Sequence, residues 1–590
     1  MSRTSRRAFR SLLENPGCIR SARGRSARPA SRKGPAVFAA LELLEPRQLL
    51  SALDVTLDGI TVKQVQYTDG DGSAVSVKLA GGGSADLTME GDNLGQSTTG
   101  GVLTVSGQGV ELSSMVCNTT TVSSALSMAA SGGDDGGASI GQVTINGALK
   151  SFTGKTVDLI GDLTATGGIG KLTLRSAGGA DQLTIDLGQG TVATSVTIAT
   201  LWDVDLVSGA AIAGLKITDW GGATPDSLEA PSIGKVTVKG GSLGANLNAT
   251  AGNIGNISIS GGDLAGSLQA AGSIGNISVK GVKYYDNEMA QGGIAGGNVL
   301  SADITAGSDT VAGNVGNITA KSGSVGFSGA PVVITAWGNV GKIASSGANY
   351  TSGVEELYDD ETGDVIGSRK IKAYQTGGIY LNTDITGSLG GLKVAGGDID
   401  GGIYAGSVGA MSASSVKDPV GDGTYLGGNF TASVTAVSTI ASLSVKVGTI
   451  DGTLAAGQAT GPVKLTVKTI NAKLHRNVEP GFDGEPATVW YDVTDGSVIG
   501  GPLRLLIELG VDPLNPSASL GAITARGADI EVTGHVPWDP ETHPYTVSST
   551  GVKYTFTYEE DENGKMRKVT ETAGGPESVS VSLEQIFAGP

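Results

Sequence analysis

The chain has 590 residues, of which 95 are glycine, 16% are charged and 4% are aromatic, and its formal net charge is −17. Glycine stands at about twice its usual ~7% and charge falls below the usual ~25%, a mixture that disfavours long helices and suits tightly turned β structure. The acidic balance excludes nucleic acid as the main partner, because phosphate binding needs clustered positive charge, and no run reaches the ~18–20 apolar residues of a membrane span.

Charge is unevenly placed. Residues 1–50 hold 11 Lys/Arg against 3 Asp/Glu, a net of +8, which leaves −25 on the remainder. Residues 1–53 read as a basic leader, rich in Arg and Ser and unable to pack a core, expected to be disordered or removed. "SRRAF" at Ser5–Phe9 is similar to a twin-arginine export motif, although the usual apolar stretch does not follow directly. Without the leader Cys117 stands alone, so no intrachain disulfide framework is expected.

The leader ends in "LELLEPRQLLSA". Leu44-Glu45-Pro46-Arg47 followed by Gln48-Leu49-Leu50 resembles the LEPR-XLL signature found near the N-terminus of large exported proteins of planctomycete-type bacteria. The match covers residues 41–52 only, but the Gly-rich body behind it is also similar to the β-strand-repeat regions of such proteins. The resemblance implies export and an extracellular or cell-surface place; it implies no catalytic residues.

Residues 54–135 predict an antiparallel β cap. Val62, Val65 and Tyr67 alternate on one side of Asp69-Gly70-Asp71-Gly72, and Val75, Val77 and Leu79 alternate on the other. That is a hairpin pattern, and a cap is what the exposed edge of a long sheet requires.

The body, residues 136–535, repeats a phrase of the form Ile-Gly-x-apolar-x-apolar. Its glycines at 234, 255 and 275 are 21 and 20 residues apart, the next gap of 41 reads as two units, and 390 to 409 gives 19. A period near 20 is a solenoid signature. Within "IGNISISGGDLAGSLQAAG", Ile257 and Ile259 fall on one side and Asn256, Ser258 and Ser260 on the other, while Gly261-Gly262 turns the chain and Leu264 and Leu268 supply a second inward pair. The expected fold is all-β: a parallel β-helix of ~20-residue coils with β-hairpin insertions, about 15 coils making a rod ~70 Å long at the spacing of paired strands. Aligned units predict an asparagine ladder through Asn256, Asn276 and Asn317, and an aliphatic column through Ile257, Ile277 and Ile318.

Three segments break the period, at 353–374, 475–501 and 536–572. Each reads as a hairpin, turning near Thr362-Gly363, Asp495-Gly496 and Asn563-Gly564; the last belongs to a C-terminal hairpin and cap over 536–590. They gather aromatic rings in a chain otherwise poor in them, and all three histidines, His475, His535 and His543, lie in or beside them. Tyr358, Trp490, Tyr491, Trp538, Tyr554 and Tyr558 are the candidate ligand-binding residues, since rings beside carboxylates suit sugars. For a metal, calcium at Asp69 and Asp71, and at Asp359, Asp360 and Asp364, is the candidate, although Asp-Gly pairs are also common turn residues. Neither EF-hand spacing nor any Ser/His/Asp or Walker pattern occurs, and the best carboxylate pair within the repeats, Asp398 and Asp400, reads as surface decoration. The expectation is an exported structural or adhesive protein without catalytic activity, meeting surface polysaccharide or other surface proteins. The alternative is a polysaccharide-binding or polysaccharide-degrading β-helix, which requires carboxylates and a base on one groove.

Overall fold

The computed structural model describes residues 51–446, apart from 224, 287–290, 301–302, 360–364, 420–424 and 439, and beyond 446 it describes the backbone of separate strands. The basic segment and most of the 41–52 motif lie outside the described residues. Among the described residues every regular element is a β-strand, and no helix is long and apolar enough to cross a membrane.

The first strands pair mainly antiparallel, although Gln64–Thr68 also runs parallel to Val102–Thr120. Ser51–Leu57 pairs with Ser84–Thr99, which pairs with Val102–Thr120; Gln64–Thr68 pairs with Ser73–Ala80, which pairs with Ala125–Gly132. Val65 sits opposite Val77 and Tyr67 opposite Val75, all four buried, as their alternation requires. Direction changes next. Val102–Thr120 and Ala125–Gly132 also take up Ala138–Gly147 and Ser151–Leu159 in parallel. Beyond this point the long sheet, to which 34 strands belong, is built from parallel pairs.

The parallel pairs form two series. In one, Ile212–Ile217, Ile233–Lys239, Ile257–Ser260, Ile277–Lys280, Ile318–Lys321 and Ile343–Ser346 each pair with the next. In the other, Ser227–Ala230, Asn246–Ala249, Leu268–Ala270, Asp303–Ala306 and Val332–Ala336 do the same. Register places like on like. Val236, Ile257, Ile277, Ile318 and Ile343 form one column, none more than 1% exposed, and Ala230, Ala249, Ala270, Ala306 and Ala336 form another. A one-residue slip would turn each column outward, and burying one aliphatic side chain is worth about 1.5–3 kcal/mol. Register is therefore fixed many times over.

Between strands the backbone turns and its amides leave the ladder. Side chains of the preceding unit meet them. Asn256 Oδ1 accepts the Asn276 N–H, Asn276 Oδ1 the Asn317 N–H and Asn317 Oδ1 the Lys342 N–H, each at 2.8 Å. A second rail runs from Asn314 Oδ1 to the Asn339 N–H at 2.7 Å, and from Asn339 Oδ1 to the Ser388 N–H at 2.8 Å. The asparagine ladder is thus a set of acceptors for amides that turns would otherwise leave orphaned.

One corner is made of glycine because nothing larger fits. A Cβ on Gly262 would stand 1.9 Å from the Gly241 carbonyl oxygen, and one on Gly397 would overlap the Gly377 carbonyl. The insertions leave from this corner. Val282–Asp286 and Gln291–Ala295 follow Ile277–Lys280, Ala348–Tyr358 and Val365–Gln375 follow Ile343–Ser346, and Val416–Lys417 and Tyr425–Leu426 follow Ile399–Ser414. The first two hairpins join through Gln291 and Gly353 into a separate four-stranded antiparallel sheet.

Two expectations are corrected. The 41-residue gap is one unit rather than two, because Ile277 pairs directly with Ile318 and the extra chain is spent on the hairpin at 282–295. The hairpin within 475–501 does not turn at Asp495-Gly496: His475–Glu479 pairs with Thr488–Asp492, so the connection is 480–487, which contains Pro480-Gly481 and Asp483-Gly484. Turn-forming dipeptides outnumber turns in so glycine-rich a chain. The pair Tyr554–Glu560 and Met566–Ala573 does bracket Asn563-Gly564.

Urea unfolding tests this hierarchy. Ile277→Ala is expected to cost about 2–5 kcal/mol, and Asn276→Ala, on the exposed ladder, about 1 kcal/mol. Gly262→Ala adds one methyl group yet is expected to cost more than Asn276→Ala, since the Gly241 backbone must move.

Candidate functional site

The Asp69–Gly72 turn is one of the two acidic places that the sequence pointed to. Asp69 Oδ1 and Asp71 Oδ1 both accept the Ser73 N–H, at 2.7 and 2.9 Å, and Asp71 Oδ2 accepts the Asp134 and Asp135 N–H groups at 3.2 and 3.4 Å. A cleft of about 450 Å³ opens here, lined among others by Tyr67, Asp69, Asp71, Glu111, Asp135 and Arg175. Arg175 donates to Asp135 at 2.8 Å and also to Asp158. Burial first, and then a proton shared with Asp71, push the Asp69 carboxyl up to about 6. The same sharing and the Ser73 donors hold Asp71 well below the usual range. The Tyr67 hydroxyl is buried without a hydrogen-bond partner among the described residues, and burial together with Asp69 and Glu111 raises it. Asp69 and Asp71 therefore already accept backbone N–H groups, and among the described residues no group of three His, Cys, Asp or Glu is gathered as a metal site.

The aromatic candidates that lie on described strands fall in three different sheets. Tyr358 is 56% exposed at the end of Ala348–Tyr358, its hydroxyl donating to Glu356 Oε2 at 2.7 Å. The sheet that carries it also exposes Val282, Tyr284, Tyr285, Val365 and Ile366. Trp490 and Tyr491 register with Asn477 and Arg476 in a two-stranded sheet, and Tyr554 and Tyr558 lie in another. Asp359 follows Tyr358, while Asp360, Asp364 and Trp538 fall outside the described residues. Asp398 and Asp400 both serve the backbone: Asp398 Oδ1 accepts the Asn429 N–H and Asp400 Oδ1 the Gly401 N–H, each at 2.8 Å.

A different groove lies on the repeat face itself. Val332–Ala336, Ile379–Ala395, Ile399–Ser414 and Ser433–Ala436 run side by side in parallel. Ile334, Thr383, Ile403 and Val434 form one row across them and face inward. The flanking rows, Val333-Asn382-Gly402-Ser433 and Thr335-Asp384-Tyr404-Thr435, face outward and border a shallow, open depression of about 390 Å³. Tyr404 is 44% exposed. Its main chain is fixed on both sides by one hydroxyl: Thr383 Oγ1 accepts the Tyr404 N–H and donates to the Tyr404 carbonyl, both at 3.1 Å. Asn382 Oδ1 accepts the Gly402 N–H at 3.1 Å, which orients its amide along the groove. Sequence reading missed this place because the insertion at 348–375 hides the alignment of Thr335 with Asp384. The available signal was an aromatic residue in an outward slot of "GGIYAGS", where the units in register put Glu, Asn, Gln, Thr or Asp.

The chain matches no family model, no curated protein and no solved structure.

A buried carboxyl sets a pH dependence. Asp226 is 2% exposed; burial first, and then Asp203 and Asp205, push it up to about 6, while its Oδ1 accepts the Val204 N–H at 3.0 Å. A folded value above the unfolded one of ~3.9 means that its stabilising share is complete below ~4 and is lost as pH rises through about 6, and the Asp69 carboxyl acts in the same direction. The thermal midpoint is expected to fall between pH 5 and pH 8, and Asp226→Asn, which copies the protonated form, should flatten that fall by a few degrees.

Proposed function

We propose that the chain is an exported structural and adhesive protein of the cell surface, in which successive units wind as a parallel β-helix and carry hairpins outward from one corner. The observation that supports the winding is that two parallel series, linked within each repeat of about 20 residues, bury their columns in a single hydrophobic cluster. A unit built this way leaves half of its ladder groups and one apolar side without a partner until the next is added, which suits a load-bearing array.

The charge pattern supports the same reading. Carboxylates on the repeats, Asp398 and Asp400 among them, accept backbone N–H groups, and the outward slots between strands are mainly Ser, Thr, Asn and Lys. A polysaccharide-degrading site needs two carboxylates aimed at one bond; here Asp398 and Asp400 are each tied to a backbone N–H. Export rests on the resemblance at Leu44 to Leu50 and on the Arg6-Arg7 pair.

Protease treatment of intact cells expressing the full chain, in a planctomycete-type host, tests the location. The protein is expected to be digested from outside, and the double change Arg6→Lys with Arg7→Lys to retain it inside. A wild-type chain protected from protease in the cytoplasm overturns the reading. Thermal melts with and without calcium test the acidic turn separately: a midpoint raised by calcium, and no longer raised in Asp71→Asn, would reassign that turn as a metal site.

A further inference from the structure

We infer that the groove over Gly402 is a binding site for an uncharged, hydroxyl-rich glycan chain, with the Tyr404 ring as its platform. The inference rests on the adhesive part of the reading above and places that activity on the repeat face, away from the hairpins.

Three features carry it. The first is shape. Gly402 lies between Asn382 and Ser433 in its row, and beside Tyr404 on its own strand, so the missing side chain opens a floor next to the ring. A Cβ at Gly402 would come within 3.3 Å of Asn382 Oδ1 and begin to close that floor. The second is chemistry. One half-exposed ring is surrounded by Thr335, Asn382, Asp384, Ser433 and Thr435, whose hydroxyl, amide and carboxylate groups line the groove. An apolar ring face beside several hydrogen-bonding groups matches the alternating C–H and O–H surface of a sugar. The third is charge. The lining contains a single carboxylate, Asp384, and no Lys, Arg or His, so a uronate or sulfated polymer would meet repulsion without compensation.

The arrangement also favours a chain over a single sugar. The outward row of Tyr404 continues along the stack through Thr305, Gln269 and Asn248, each in register with the next. Neighbouring strands lie ~4.8 Å apart, so polar groups recur at about the length of one sugar unit. Each strand at the groove is paired on both sides, leaving no edge on which a peptide could add as a further strand. Preorganisation comes from Thr383, whose hydroxyl holds the Tyr404 backbone at 3.1 Å on donor and acceptor alike.

The experiment is an array of immobilised neutral and acidic polysaccharides probed with the full chain, followed by titration calorimetry with short and long oligosaccharides of whichever glycan is retained. Neutral linear glycans are expected to be retained over uronic-acid and sulfated ones, with affinity rising with chain length. Tyr404→Ala and Gly402→Leu are each expected to weaken binding by about tenfold or more, while Tyr284→Ala leaves it unchanged. Circular dichroism melts of the variants separate lost binding from lost folding. Retention of no glycan, preference for acidic polymers, or full binding by Tyr404→Ala overturns the site. None of these outcomes alters the protease test of surface location, so failure of the site and failure of the structural reading remain distinguishable.

Discussion

A strand of the two parallel series has almost no partner within its own repeat, and its main-chain N–H and C=O groups are satisfied by the units before and after it. Ile257–Ser260 pairs with Ile233–Lys239 on one side and with Ile277–Lys280 on the other. An unpaired buried peptide group costs about 1–3 kcal/mol, so the ladder dictates what each unit must be. Strands must recur in register, turns must occupy the same place in each unit, and side chains that touch along the stack must tolerate their own kind. Ile257 over Ile277 over Ile318 meets the last demand with a branched aliphatic surface.

Polar residues answer the same constraint where the ladder lapses. At the turns an asparagine of one unit accepts the amide of the next, and where asparagine is absent a serine or aspartate takes its place. Ser273 Oγ accepts the Asn314 N–H at 3.0 Å, and Asp263 Oδ1 accepts the Asn298 N–H at 2.8 Å. Much of the negative charge on the repeats is used this way. Arg175, bridging Asp135 and Asp158, is one of few ion pairs among the described residues, and the structure leans on backbone acceptors rather than on salt bridges, which contribute little at a surface.

Insertions are tolerated at one corner because the ladder is already broken there. Gly281 leads into one hairpin and Gly347 into the next, and after each the chain returns to a glycine packed on the preceding unit: Gly297 N–H donates to the Gly262 carbonyl at 3.0 Å. Strand pairing resumes as though nothing had intervened. Decoration can therefore vary while the stack stays unchanged. Trp220 and Phe152 are fully buried within the stack, whereas Tyr284 and Tyr358 are exposed on the hairpin sheet.

The sequence by itself determined the all-β character, the inward and outward sides of strands such as Ile257–Ser260, the hairpin around Asp69 to Gly72, and the Asn256-Asn276-Asn317 ladder. These follow from period-two alternation and from short-range repetition, both of which survive in a linear string. It did not determine how many residues make a unit once hairpins intervene. The 41 residues from Gly275 to Gly316 hold one repeat and one hairpin, because the ladder counts strands in space rather than residues along the chain. Nor did it reveal that Asp384, Tyr404 and Thr435 stand in one row, since their separations of 20 and 31 residues have no common period. Hydrogen bonding across the sheet decided that, and only tertiary structure records it.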